Sequence, residues 1–225
     1  MLDDESAVAQ TPLAPAVPRD PPLTQRGART RAALIASARQ VFENVGYLDA
    51  RLVDIAKGAG CATGSFYTYF ANKEEVFAAV LEVAREEMMH PGMGRVASAD
   101  DPYAVLEASN RAYLAAYQRN AKLMGIMEQV AHIDPEFRKL RNKRGDLFIE
   151  RNARGIADLQ ARGIADASLD PMIASIALSG MVSRLAFSAF TLGEGRLGGE
   201  PVDFEDVVVT VTKLWANALK FPDRD

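Results

Sequence analysis

The 225 residues hold one cysteine and two histidines. Cys61 has no partner for an intrachain disulfide, and with His90 and His132 far apart a Cys/His zinc site lacks its ligands. Cationic charge is scarce where a secretory signal would need it, since the chain opens MLDDESAVAQ. No uninterrupted apolar run approaches the ~18 residues of a membrane span. The expected compartment is therefore the cytoplasm, with no membrane partner. Strand signals are missing too, because period-2 alternation nowhere persists between turn residues. Neither a Ser/His/Asp arrangement nor a paired-metal set is present. The segment GEGRLG, Gly193 to Gly198, formally matches G-x-G-x-x-G, but it follows a helical pattern and sits in no βαβ unit. No enzyme activity, cofactor or metal is expected.

What remains is a helical chain with uneven charge. Hydrophobic residues make up 48% and charged residues 25%, the profile of a soluble globular protein. The net charge is −4, but residues 26–80 carry seven Lys/Arg against five acids and form the one positive segment. Local charge sets an electrostatic footprint more than the total does. Residues 1–25 hold five of the eleven prolines and read as a disordered tail. Helices are expected near Thr30–Val45, stopped by Gly46, then Leu52–Ala59 and Thr63–Tyr69. A fourth opens at Asn72, with Glu75 completing a capping box. Longer helices are expected at 102–119, 121–132, 135–163, 170–192 and 203–220. The fold class is all-α, with residues 26–80 as a first domain and 81–225 as a larger second one.

The stretch GSFYTYFANKEEVF, Gly64 to Phe77, crowds four aromatic rings into Phe66–Phe70. Two short helices meet before it. Ala56 is small where helices cross, Gly60 supplies the turn, and Phe66 falls six residues later, the spacing of a helix-turn-helix. The second helix of such a pair lies in the DNA major groove. Thr63, Ser65, Thr68 and Tyr69 would be exposed there, with Tyr67 near the groove edge. Gly64 lets the backbone approach closely. Lys73 stands in the first turn of the next helix, where the dipole disfavours a cation. It reads either as a phosphate clamp or as a solvated lysine. Arg26, Arg29 and Arg31 flank the first helix, as DNA-backbone contacts or as solvated charges.

The segments LIASARQVFENVGY and LVDIAKGAGCATGSFYTYFANKEEVFAAVL resemble the tetracycline-repressor (TetR) family of regulators over about Leu34–Leu81. The resemblance implies that Tyr67, Tyr69 and Lys73 touch phosphates of a double-stranded operator, and that Thr63, Ser65 and Thr68 lie nearest bases. It departs from the family at Arg51, where a Thr or Ser commonly holds a phosphate. Arg51 either does that job more strongly or shifts the docking. It departs again at Ala62 and Thr63, in place of a Ser cap and a basic residue. Cys61 stands where Val is usual and reads as a buried small residue or as a redox sensor, the former favoured.

The resemblance implies that the C-terminal helices form an effector pocket and a dimer interface. The small residues of 170–192 and the apolar stripe from Phe204 to Leu219 suit a homodimer through the last two helices. Seven of eight methionines lie beyond residue 81. Met124, Met127 and Met181, with Phe148 and Phe187, read as candidate pocket lining or as plain core. Arg144, Arg151 and Arg184 fall on apolar faces and need partners. Either a buried acid such as Glu128 or Asp158 supplies them, or an anionic effector such as a fatty acid or acyl-CoA thioester does. The leading expectation is a ligand-responsive repressor on a near-palindromic operator. The alternative is a helical protein-interaction module without specific DNA binding.

Overall fold

A computed structural model of the chain describes residues 24–90, 101–193, 196–197 and 200–222. Residues 1–23, most of the expected tail, and Met93 lie outside the described residues. The element order is α1 (Gln25–Asp49), α2 (Leu52–Gly58), α3 (Thr63–Tyr69), α4 (Lys73–Met89), α5 (Pro102–Arg119), α6 (Ala121–Ile133), α7 (Pro135–Ala161), α8 (Pro171–Ala186) and α9 (Phe204–Ala218). A π-helical turn, Phe187–Thr191, extends α8. Between α8 and α9 lies a two-residue antiparallel pairing, Arg196–Leu197 with Glu200–Pro201.

Helix α1 begins at Gln25, five residues ahead of the expected Thr30. Thr24 caps it by accepting from the Gly27 N–H at 3.1 Å. Arg26, Arg29 and Arg31 therefore lie on its first two turns rather than flanking it. At Gly46 the helix breaks with φ +78°, a left-handed conformation that glycine adopts without strain. Asp-Pro pairs open three of the long helices. Asp101, Asp134 and Asp170 each accept from backbone N–H groups of the first turn, and a proline follows at N1. Proline loses nothing there, because that N–H has no helical partner.

Helices α1, α2 and α3 enclose Leu34, Phe42, Ile55, Ala56, Phe66 and Phe70, all with no accessible surface. This small core is joined to the longer helices by an aromatic cluster. Phe42, Tyr47 and Phe77 pack with centroids 4.9–5.8 Å apart, and Phe137 of α7 caps Phe77 at 5.2 Å. Burial and the adjacent Glu74 carboxylate push the Tyr47 hydroxyl's pKa up, so it stays a neutral donor to Glu74 Oε1 at 2.9 Å. Arg39 of α1 ties the same junction, donating to Glu87 of α4 and to the Arg119 carbonyl at the end of α5.

Among the longer helices, α8 packs against α7 and α9 against α5. The α8 segment Pro171–Thr191 is long and apolar enough to cross a bilayer by length and composition. Its apolar Met172, Ile173 and Ile176 remain exposed, as do Val209 and Leu214 of α9.

Candidate nucleic-acid interface and internal cavities

The corner between α2 and α3 is built from backbone bonds. Gly60 has φ +69°, which turns its N–H to the Lys57 carbonyl and the Cys61 N–H to the Ala56 carbonyl, each at 3.0 Å. Helix α1 approaches so closely that Ser37 Oγ donates to the Ile55 carbonyl at 2.7 Å. A Cβ at Gly58 would collide with that hydroxyl. Cys61 is half-buried and packs on the core.

Burial sorts the aromatic run. Phe66 and Phe70 are fully buried, while Tyr67 is 48% exposed. Gly64, Ser65 and Thr68 face solvent, and Thr63 and Tyr69 are half-buried. The outward face of α3 is therefore small and hydroxyl-bearing, flanked by phenol rings. Ala62 offers no side-chain cap to α3, as its departure from Ser implies.

Two of the expected phosphate contacts are engaged within the protein. Arg51 grips Asp54 with two hydrogen bonds of 2.7 and 3.1 Å, which raises the arginine's pKa and lowers the aspartate's. Lys73 Nζ donates to the carbonyls of Tyr47 at 2.9 Å, Leu48 at 3.1 Å and Ala50 at 3.4 Å, and lies 4.7 Å from the Tyr47 ring centre. Its ammonium thus closes the chain end after α1, so neither of the two readings open from sequence describes it fully. Asn72 caps α4 by accepting from the Glu75 N–H at 2.9 Å, and the Glu75 carboxylate accepts from the Ala71 N–H. Arg31 stacks 5.0 Å from the Phe70 ring, and Arg26 and Arg29 are exposed.

The longer helices enclose two adjoining chambers. The smaller, about 360 Å³, is walled by six of the eight expected pocket residues: Met124, Met127, Arg144, Phe148, Arg184 and Phe187. Met88 of α4, Tyr113 and Tyr117 of α5, and Glu128, Arg141, Gly145 and Ser183 complete it. The larger, about 580 Å³, takes Arg151 and Phe148 together with Leu106, Ile156, Val182 and Trp215. Tyr113, Gly145, Phe148 and Ser183 belong to both walls. Met181 lines neither chamber and packs on the core instead. The tyrosine pair at i, i+4 on α5 was the overlooked sequence signal for this site, two polar rings on one helix face.

The expected acidic partners of the apolar-face arginines are already taken. Glu128 pairs with Arg141 at 2.9 Å and Asp158 with Arg162 at 3.3 Å. Arg151 donates to the Met89 carbonyl at 2.8 Å and lies over the Phe148 ring. Arg184 is exposed and lies 5.8 Å from the Phe187 ring centre. Arg144 is only 7% exposed, and its one hydrogen bond among the described residues goes to the Met127 sulfur at 3.1 Å. Desolvation pulls its pKa down to about 10.

The family model for bacterial regulatory proteins of the tetR family matches residues 34–80, the segment holding the α2–α3 corner. The HTH-type transcriptional regulator EthR of Mycolicibacterium smegmatis is 24% identical over 189 residues, 84% of this chain and 85% of that relative. Over residues 34–80 the chain is similar to the tetR family. A second relative, the uncharacterized HTH-type regulator YdgC of Bacillus subtilis, is 36% identical over 59 residues, 26% of this chain and 30% of its own. A TetR-family regulator structure from Rhodococcus sp. aligns with TM-score 0.70 at 16% identity, covering 85% of this chain and 99% of the other. The fatty acid degradation regulator FadR of Bacillus halodurans aligns with TM-score 0.66 at 21% identity, over 86% and 97%. These two likenesses concern the fold. The matched segment and the EthR relative support a DNA-binding transcriptional regulator.

Proposed function

We propose that the protein is a cytoplasmic, ligand-responsive repressor that binds a near-palindromic operator as a homodimer. The observation that carries this reading is the split face of α3, with Phe66 and Phe70 buried beneath outward-facing Ser65, Tyr67 and Thr68. Hydroxyls of this kind donate to phosphates or base edges, and a threonine methyl meets a thymine methyl. Thr63, Ser65 and Thr68 lie nearest bases. Tyr67 and Tyr69 take phosphates, and Gly64 admits the backbone to the groove. Arg51 and Lys73 reach DNA only by exchanging their present partners.

Residues 26–80 are the reading domain and 81–225 the effector and dimer domain. The exposed Ile173, Ile176 and Leu214 supply the apolar surface for pairing two copies through α8 and α9. The two chambers are of the size that takes a small organic ligand, and the sequence points to fatty acids or acyl-CoA thioesters. Met88 joins the smaller chamber to α4, whose first residue, Lys73, holds the end of α1. A ligand that moves α4 would change the spacing of the two reading heads, with a coupling of about 1–3 kcal/mol.

The test is retention of DNA fragments from the protein's own upstream region on native gels. Specific retention by the full-length chain, weakened by an added ligand, is expected. Failure to retain any such fragment at modest salt overturns the reading.

A further inference from the structure

Arg144 is the one buried cation among the described residues. A guanidinium presents five N–H donors in a planar fork, and here a single thioether sulfur answers them. The acid it senses most strongly, Glu82, is already held by Arg85 at 2.7 Å. Of the other chamber-wall arginines, Arg141 pairs with Glu128 and Arg162 with Asp158, while Arg151 and Arg184 are exposed and meet no acid among the described residues. A buried charge without a hydrogen-bonded counter-ion is costly, and this one sits in a chamber wall. Tyr113 stands in the same wall, half-buried. Its hydroxyl makes no hydrogen bond among the described residues, and desolvation raises its pKa and keeps it a neutral donor.

We propose that the chambers bind a monocarboxylate with an apolar body, its carboxylate on Arg144 and Tyr113 in the smaller chamber and its body passing Phe148 into the larger one. This rests on the effector reading above. The single buried unpaired positive charge matches a monoanion, whereas a dianionic phosphate would leave excess negative charge buried. The planar fork suits a carboxylate bidentately. An acyl-CoA thioester carries a neutral carbonyl at its acyl end and would leave Arg144 unpaired. Leu106, Ile156 and Val182 give the larger chamber its apolar wall.

The chain's one tryptophan, Trp215, lines the larger chamber, so its fluorescence reads occupancy. The full chain is titrated with hexanoate, decanoate and hexadecanoate, the matching primary alcohols and decyl phosphate. At least one carboxylate should bind roughly tenfold or more tighter than its alcohol, as expected for a charge-assisted contact. Arg144→Met should erase that preference by weakening the carboxylate alone, and Arg144→Lys should keep part of it. Arg144→Gln serves if the methionine variant fails to fold. Equal binding of alcohol and carboxylate, a preference that survives in Arg144→Met, or no carboxylate binding overturns the proposal. Operator retention on the same samples separates the two readings. A carboxylate bound through Arg144 that leaves retention unchanged upholds the site and refutes its role as an effector. An alcohol that binds as tightly and releases DNA does the reverse.

Discussion

Replacing Arg144 by methionine should stabilise the ligand-free protein, although it removes a side chain from the interior. Desolvation pulls Arg144's pKa well below the usual arginine range, to about 10. Each pKa unit is worth about 1.4 kcal/mol, so holding the charged form in place costs about 3 kcal/mol. Methionine keeps an unbranched stem of similar reach and carries no charge. Local relaxation and lost contacts trim the gain to roughly 1–3 kcal/mol, a rise in Tm of about 3–8 °C for a chain of this size. The sign has a pH signature. The unfolded chain holds this proton more tightly, so the cost is fully present below about pH 10 and lifts as pH rises above that. Melting curves of both proteins by circular dichroism, at neutral pH and again above pH 10, should show the variant's advantage shrinking. With saturating decanoate the order should reverse, because only the arginine gains a partner. A variant that melts at or below the wild-type temperature at neutral pH would mean that the guanidinium is already satisfied, and the reasoning fails.

Other outcomes follow from particular contacts. Phe66→Ala should cost about 3–5 kcal/mol in urea denaturation, since a fully buried ring leaves a cavity at the corner. Gly58→Ala should destabilise by about 1–3 kcal/mol through its collision with Ser37 Oγ. Ser37→Ala in the same chain should recover most of that loss, and absence of coupling in the double-mutant cycle would refute the close approach. Ile173→Glu with Ile176→Glu, on the exposed face of α8, should shift sedimentation from dimer to monomer while leaving helicity unchanged.

Much of this architecture was readable beforehand because its punctuation is chemical. Gly46 and Gly60 each adopt the positive φ that ends a helix or turns a corner. Asp101, Asp134 and Asp170 ahead of proline fix three helix starts to within a residue. The first turns of α1 escaped notice because arginines and a glycine there carry no apolar stripe, and Thr24 holds the start through a cap alone. The π-turn at Phe187 has no local signature. It answers to packing on α6, where a Cβ at Gly125 would press on Thr191. The smaller chamber was legible because Met124, Met127 and Arg144 are unusual together on facing helices. The larger was not, since Leu106, Ile156 and Val182 read as ordinary core until the helices are placed. Ion-pair partners were the poorest guess. Which of several arginines on α7 meets Glu128 depends on helix rotation, and it is Arg141 rather than Arg144.

The most direct test is fluorescence anisotropy of the protein on its own upstream DNA across a salt series, with wild type beside Tyr67→Ala and Thr68→Ala. Wild type should bind specifically, with log affinity falling linearly with log salt concentration. Tyr67→Ala should weaken binding and flatten that slope. Thr68→Ala should lose discrimination against unrelated DNA, and both variants should melt like wild type. A folded protein that binds no upstream fragment, or variants that bind as wild type does, would contradict the assignment of α3 as the DNA-reading helix.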